Sequence, residues 1–153
     1  MYDLYLVRKD SLENVVKDGE VVGFKLGVRI ANYRGEFLSL VHGFYVAVDG
    51  VVYGRDVQSF EVNGQPPRDM DEIAKCCWEH WDYLDEGIIH IAKPGGLAPG
   101  KHKVDYQECI LGRYGYQPND EEWVTNPPVP GQGGAEKTRY ICSYDCVLTE
   151  KGV

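Results

Sequence analysis

Basic residues are scarce in this chain. Sixteen lysines and arginines stand against 24 aspartates and glutamates, for a formal net charge of −8. Nucleic acid and anionic membrane surfaces both require a basic footprint, so neither is an expected partner. Long apolar runs are missing too: nothing approaches the roughly 18 residues of a membrane span. The opening, MYDLYLVRKD, has no basic segment followed by an apolar one, so no secretory signal is expected. The five cysteines, Cys76, Cys77, Cys109, Cys142 and Cys146, are an odd number. Without a signal they are expected to be reduced thiols in a cytoplasmic protein.

Catalytic motifs are also lacking. The histidines are His42, His80, His90 and His102, and none form a His-x-His or similar pair that would set two ligands on one face. A cupin-like metal centre would need His42, His90 and His102 to converge from three strands; structural histidines are the simpler expectation. Cys142 and Cys146 have a spacing that zinc can use, but there is no second pair, and packed thiols are the expectation. Cys76-Cys77 stands among Asp69, Asp71, Glu72, Glu79 and Asp82, which favour the protonated thiol over redox chemistry. No nucleophile elbow, P-loop or dinucleotide fingerprint occurs. The Gly95-Gly96 pair reads as a strand reversal. The chain is therefore expected to carry no catalytic residue and no metal or cofactor site of its own.

What the sequence does have is strand signal. Hydrophobic residues make up 43% of 153 residues and include eleven tyrosines, enough for one packed domain over 1–153. Asp18-Gly19 supplies a type I′ turn inside a hairpin over 15–22. Phe24, Leu26, Val28 and Ile30 alternate on the next strand. Leu38 to Val48 alternates again, and Asp49-Gly50 turns it into Val51-Val52-Tyr53. Further strands are predicted over 57–62, 88–92, 102–116 and 139–149. Asp69 caps a short predicted helix over Met70–Cys77. A Pro/Gly-rich loop occupies about 117–138. About eight short strands with scarce helix give an all-β class: an antiparallel β-sandwich, jelly-roll-like.

Two segments suggest a surface for a protein partner. Tyr33 and Arg34 lie in a short connection between strands, and both residue types are enriched in interface hot spots. Trp78, Trp81 and Tyr83 cluster where the strand period breaks, and one of the two tryptophans has core filling as its alternative.

Taken in order, several of these segments resemble the small β subunit of bacterial C-glycoside deglycosidases. They are Asp10-Ser11-Leu12 before the first hairpin, Asn32-Tyr33-Arg34-Gly35 then Leu38-Ser39-Leu40 within 29–50, the Val-Asp-Gly hairpin, and Lys93-Pro94-Gly95-Gly96-Leu97-Ala98-Pro99-Gly100 before a long strand. The resemblance covers roughly 1–116 and implies a β-sandwich assembled with a larger TIM-barrel α subunit. That subunit would hold a divalent, manganese-like metal. The complex would act as a carbon–carbon lyase, freeing a flavonoid-type aglycone from a 3-oxo sugar. Catalytic base and metal belong to the α subunit in this picture. The segment from Cys76 to Tyr83 and the 117–138 loop depart from the family pattern. The alternatives are a stand-alone carbohydrate- or ligand-binding β-sandwich and a small cupin-like metalloenzyme.

Overall fold

The computed structural model describes residues 6–30, 35–110 and 142–148. Eleven strands run through them: β1 (Glu13–Lys17), β2 (Glu20–Val28), β3 (Glu36–Phe37), β4 (Val41–Val48), β5 (Val51–Tyr53), β6 (Gln58–Glu61), β7 (Arg68–Asp69), β8 (His80–Trp81), β9 (Gly87–Ala92), β10 (Gly100–Ile110) and β11 (Cys142–Leu148). One short helix, α1 (Met70–Ile73), follows β7. All pairings are antiparallel, in a five-stranded sheet ordered β1-β2-β9-β6-β7, a four-stranded sheet ordered β11-β10-β4-β5, and the small pair β3-β8. The all-β class holds. Among the described residues no helix is long and apolar enough to cross a membrane.

Both predicted turns form as their residues require. Asp18 and Gly19 have φ of 53° and 80°, and Asp49 and Gly50 have φ of 51° and 84°. These left-handed pairs match the twist of the flanking strands. Alternation then sorts the faces. Phe24, Leu26 and Val28 of β2, Ile89 and Ile91 of β9 and Phe60 of β6 are buried on one sheet, and Phe44, Val46, Val48, Val104, Tyr106, Tyr144, Cys146 and Leu148 on the other. The two inner faces meet through aromatic rings. Phe44 of β4 lies 5.0 Å from Phe60 of β6 and stacks on Tyr106 at 6.1 Å, while Phe24 meets Tyr53 edge-on at 5.1 Å. Gln58 staples the sheets: its buried Nε2 donates to the carbonyls of Phe44 and Tyr53 at 2.8 and 2.9 Å.

Three expectations change. The strand expected from Leu38 to Val48 is interrupted by a 3-10 turn over Leu38–Leu40, because the Leu38 and Ser39 amides donate to the carbonyls of Glu79 and Cys76. The helix expected over Met70–Cys77 stops at Ile73. A capping box between Asp69 and Glu72 starts it, and tighter bonds from Lys75 N to Glu72 O and from Cys76 N to Ile73 O end it. The strand count rises because β3, β7 and β8 have two residues each, too few to show a period. Tyr33, Arg34, the stretch 111–116 and the 117–138 loop lie outside the described residues.

The Asp49 turn is also clasped to the next sheet strand. His102 Nδ1 meets Asp49 Oδ2 at 2.6 Å, and its Nε2 meets the Ala98 carbonyl at 2.6 Å. Both ring nitrogens thus face acceptors, which only the imidazolium satisfies. Burial opposes that charge, but the Ala98 carbonyl and the Asp49 carboxylate outweigh it and raise the His102 pKa. Asp49 is held below the usual carboxylate range, first by the His102 hydrogen bond and then by the Lys103 amide. The histidine's contribution is complete below the unfolded value of about 6.5 and disappears as pH rises through the raised folded value. The aspartate's contribution is present above its unfolded value and is lost only as pH falls through its depressed one. The melting-temperature gap between wild type and His102→Gln is therefore expected to be wide near about pH 6 and to narrow by about pH 9. A gap that stays constant over that range would show that the clasp works uncharged.

Candidate functional site

The two tryptophans of the aromatic segment part ways. Trp81 is fully buried, 5.0 Å from Phe60 and 6.3 Å from Phe44 in edge-on contacts. Its placement among surface residues is corrected: Trp81 fills the junction between the sheets. Trp78 is 94% exposed. The reason is geometric. Trp81 lies on β8 and turns into the core, whereas Trp78 sits in the turn that precedes that strand.

Trp78 is displayed on a rigid bracket. The carbonyl of Cys76, two residues before it, accepts from Ser39 N, and the carbonyl of Glu79, next after it, accepts from Leu38 N at 2.8 Å. The Glu79 carboxylate takes a two-pronged bond from Arg68, at 2.8 and 2.7 Å, and a third from Asn63 Nδ2 at 3.1 Å. Arg68 holds the Glu79 carboxyl below its usual range, while partial burial works the other way and Asn63 adds to the lowering. Asn63 Nδ2 also donates to the His80 carbonyl at 2.9 Å. Backbone held in this way loses little loop freedom on docking.

The buried indole builds the other half of the surface. Trp81 Nε1 donates to the Asp85 carbonyl at 2.8 Å, and the Asp85 amide donates to the Asp82 carbonyl at 3.0 Å. This fastens the turn 82–85 to the core and leaves Tyr83 44% and Leu84 69% exposed. Across the β3-β8 pair, Phe37 opposes His80 in register and meets its ring edge-on at 5.2 Å, with Phe37 itself 42% exposed. His80 Nδ1 is oriented by Asp82 Oδ1 at 2.5 Å. Gly35, with φ of 71°, brings the chain against β8 so closely that a Cβ there would meet the Trp81 carbonyl at 2.4 Å. Tyr33 and Arg34 precede this glycine in sequence.

Of the aromatic residues singled out, Trp78 and Tyr83 are exposed and Trp81 is buried, and Phe37 and Leu84 are exposed as well. Phe37 was hidden inside a strand reading that ran on toward Val48. Leu84, beside Tyr83 in a polar turn, carried a signal that composition alone does not single out.

Other chemistry-bearing groups are spent elsewhere. His90 Nε2 meets Glu61 Oε1 at 2.7 Å on the five-stranded sheet, whereas the His102 clasp is on the four-stranded one. No group of three metal-ligating side chains forms among the described residues. Cys76, Cys77 and Cys146 are free thiols, and burial pushes the Cys146 pKa up to about 11. Tyr106 donates to buried Glu108 Oε2 at 2.6 Å within the sandwich. Two open grooves, of about 500 and 490 Å³, run past Lys17, Ser59 and His90 and past Arg55, Asp69 and Asp71. Neither is lined by Phe, Tyr or Trp, so neither offers the ring platform on which a sugar face would stack.

Comparison with known proteins places these features in a family. The family described as C-glycoside deglycosidase beta subunit matches residues 2–114. A curated protein of that name from Eubacterium cellulosolvens is 30% identical over 117 residues, covering 72% of this chain and 79% of the relative.

Proposed function

Because this chain belongs to the family of C-glycoside deglycosidase beta subunits, we propose that it is the assembly subunit of a carbon–carbon lyase and docks on its larger partner through Phe37, Trp78, Tyr83 and Leu84. The observation that carries this reading is Trp78, 94% exposed on a segment whose backbone is fastened on both sides of it. Leaving an indole in water forgoes about 4–6 kcal/mol, from about 150–250 Å² of side-chain area at about 25 cal/mol per Å². A partner that covers the indole recovers the part of that energy that exceeds the cost of docking.

The chemistry is assigned to the larger subunit, a TIM barrel with a divalent, manganese-like metal in a cytoplasmic complex. Its substrate is a C-glycoside whose sugar carries a 3-oxo group. The ketone acidifies the C2 proton and a base on the larger subunit removes it; the C2 electron pair then forms a C1=C2 bond as the C1–aglycone bond breaks, and the aromatic aglycone leaves with that bond's electrons and takes up a proton. The small subunit, a single domain in this reading, supplies shape and stability to that complex.

Co-expression tests it. A tagged larger subunit is expected to retain this chain at one fixed stoichiometry, and the reconstituted pair is expected to cleave a 3-oxo C-glycoside that this chain alone leaves intact. Turnover by this chain alone, or a larger subunit equally active without it, would overturn the assignment.

A further inference from the structure

Resting on the reading of Trp78 as a docking anchor, we propose that Cys76 and Cys77 are a reversible thiol switch: hydrogen peroxide joins them in a disulfide that unfastens the segment before Trp78 and weakens its hold on the partner. Both thiols are free, Cys77 exposed and Cys76 half-buried. In space the Cys76 sulfur is reached by a cation. Arg68 Nη1 donates to Cys76 Sγ at 3.3 Å, and Cys76 Sγ donates to the Glu72 carbonyl at 3.3 Å. The same Nη1 holds Glu79 Oε1 at 2.8 Å. Through Arg68 the Cys76 sulfur therefore belongs to the bracket that carries Trp78.

The chemistry balances with hydrogen peroxide as the oxidant. The exposed Cys77 sulfur attacks a peroxide oxygen and becomes a sulfenic acid as the O–O bond breaks and one water leaves. The Cys76 sulfur then displaces hydroxide from the Cys77 sulfur, and its own proton departs with that hydroxide as a second water. Cα atoms joined by a trans peptide lie about 3.8 Å apart, whereas disulfides usually span about 4.4–6.8 Å. Closure therefore twists the peptide between the two cysteines. That peptide carries two local bonds: its carbonyl accepts from Ser39 N at 3.3 Å, and its amide donates to the Lys75 carbonyl at 2.9 Å. Twisting it releases the chain on one side of Trp78 and draws Cys76 Sγ away from Arg68. Strain of this kind also makes a disulfide easy to reduce, which suits a switch and not a permanent staple. A loosened segment has to be ordered again on docking, so affinity falls.

Peptide mass mapping and titration against the larger subunit test this on the full chain, reduced and peroxide-treated, for wild type, Cys77→Ser and Trp78→Ala. Peroxide is expected to remove two hydrogens from the wild-type peptide that holds both cysteines, and a dithiol reductant to restore them. Affinity for the larger subunit is expected to fall by about tenfold on oxidation and to return on reduction. Cys77→Ser, whose melting temperature confirms its fold, is expected to bind like reduced wild type with or without peroxide. Oxygen added to Cys77 with no link to Cys76, or oxidation of other cysteines while this pair stays reduced, would overturn the proposal. A disulfide that forms and leaves affinity unchanged would overturn the switch. Reduced Trp78→Ala that binds as tightly as reduced wild type would overturn the docking reading instead, with the thiol chemistry still decided by the mass of the peptide.

Discussion

Replacing Trp78 by alanine is expected to weaken binding to the larger subunit by about 2 kcal/mol or more, the scale of an interface hot spot. The isolated chain should hardly notice. The side chain is 94% exposed, and the hydrogen bonds of its bracket run through the carbonyls of Cys76 and Glu79 and the carboxylate of Glu79, not through the indole. An exposed change of this kind stays within about 0.5 kcal/mol, or about 1–2 °C in melting temperature for a chain of this size. Calorimetric titration and thermal melting of the same preparation check both halves. A large fall in melting temperature with affinity intact would place Trp78 in the fold and move the interface elsewhere. Activity of the reconstituted complex should return when the variant is supplied in excess, because only the affinity has changed.

Trp81→Ala, three residues on, is expected to do the reverse and more. It removes the ring that touches both Phe44 and Phe60 at the junction of the sheets. Large-to-small changes at such sites cost about 3–5 kcal/mol, through lost transfer energy and the cavity left behind. Melting temperature should fall by about 6–20 °C. Affinity should fall as well, since the turn bearing Tyr83 and Leu84 loses the indole N–H bond to the Asp85 carbonyl. Trp81→Phe separates the two effects. It refills most of the volume but leaves that carbonyl without its donor, for a smaller loss of about 1–3 kcal/mol. A Trp81→Ala protein that melts like wild type would contradict the packing described here.

Much of the architecture was written locally. Asp18-Gly19 and Asp49-Gly50 announce their hairpins because few other dipeptides accept two left-handed residues in a row. The faces of β2 and β11 follow from alternation, since a strand with one face on a core repeats every two residues. Asp69 marks the start of α1 because its side chain can take an orphaned amide. The family, too, was legible in the order of turns and short motifs along the chain.

The aromatic surface was legible only in part. The segment over 78–83 stood out by composition, which did not say which tryptophan would face inward. Which one did so depends on β8 pairing with β3, two residues on each side, and on the sheets closing over Phe44 and Phe60. Phe37 reaches the surface because the Leu38–Leu40 turn is fixed by carbonyls about 40 residues away in sequence.

Left to itself, then, the sequence determined the strand class, the tight turns, the inward-facing residues of the longer strands, and an acidic charge balance. These are properties of neighbouring residues and of their summed charge. The order β1-β2-β9-β6-β7, the choice of Trp81 for the core and Trp78 for the surface, and the bracket of Arg68, Glu79 and Asn63 were decided by the tertiary structure. Each depends on contacts between segments far apart in the chain, whose favourable energy appears only once the sheets have met.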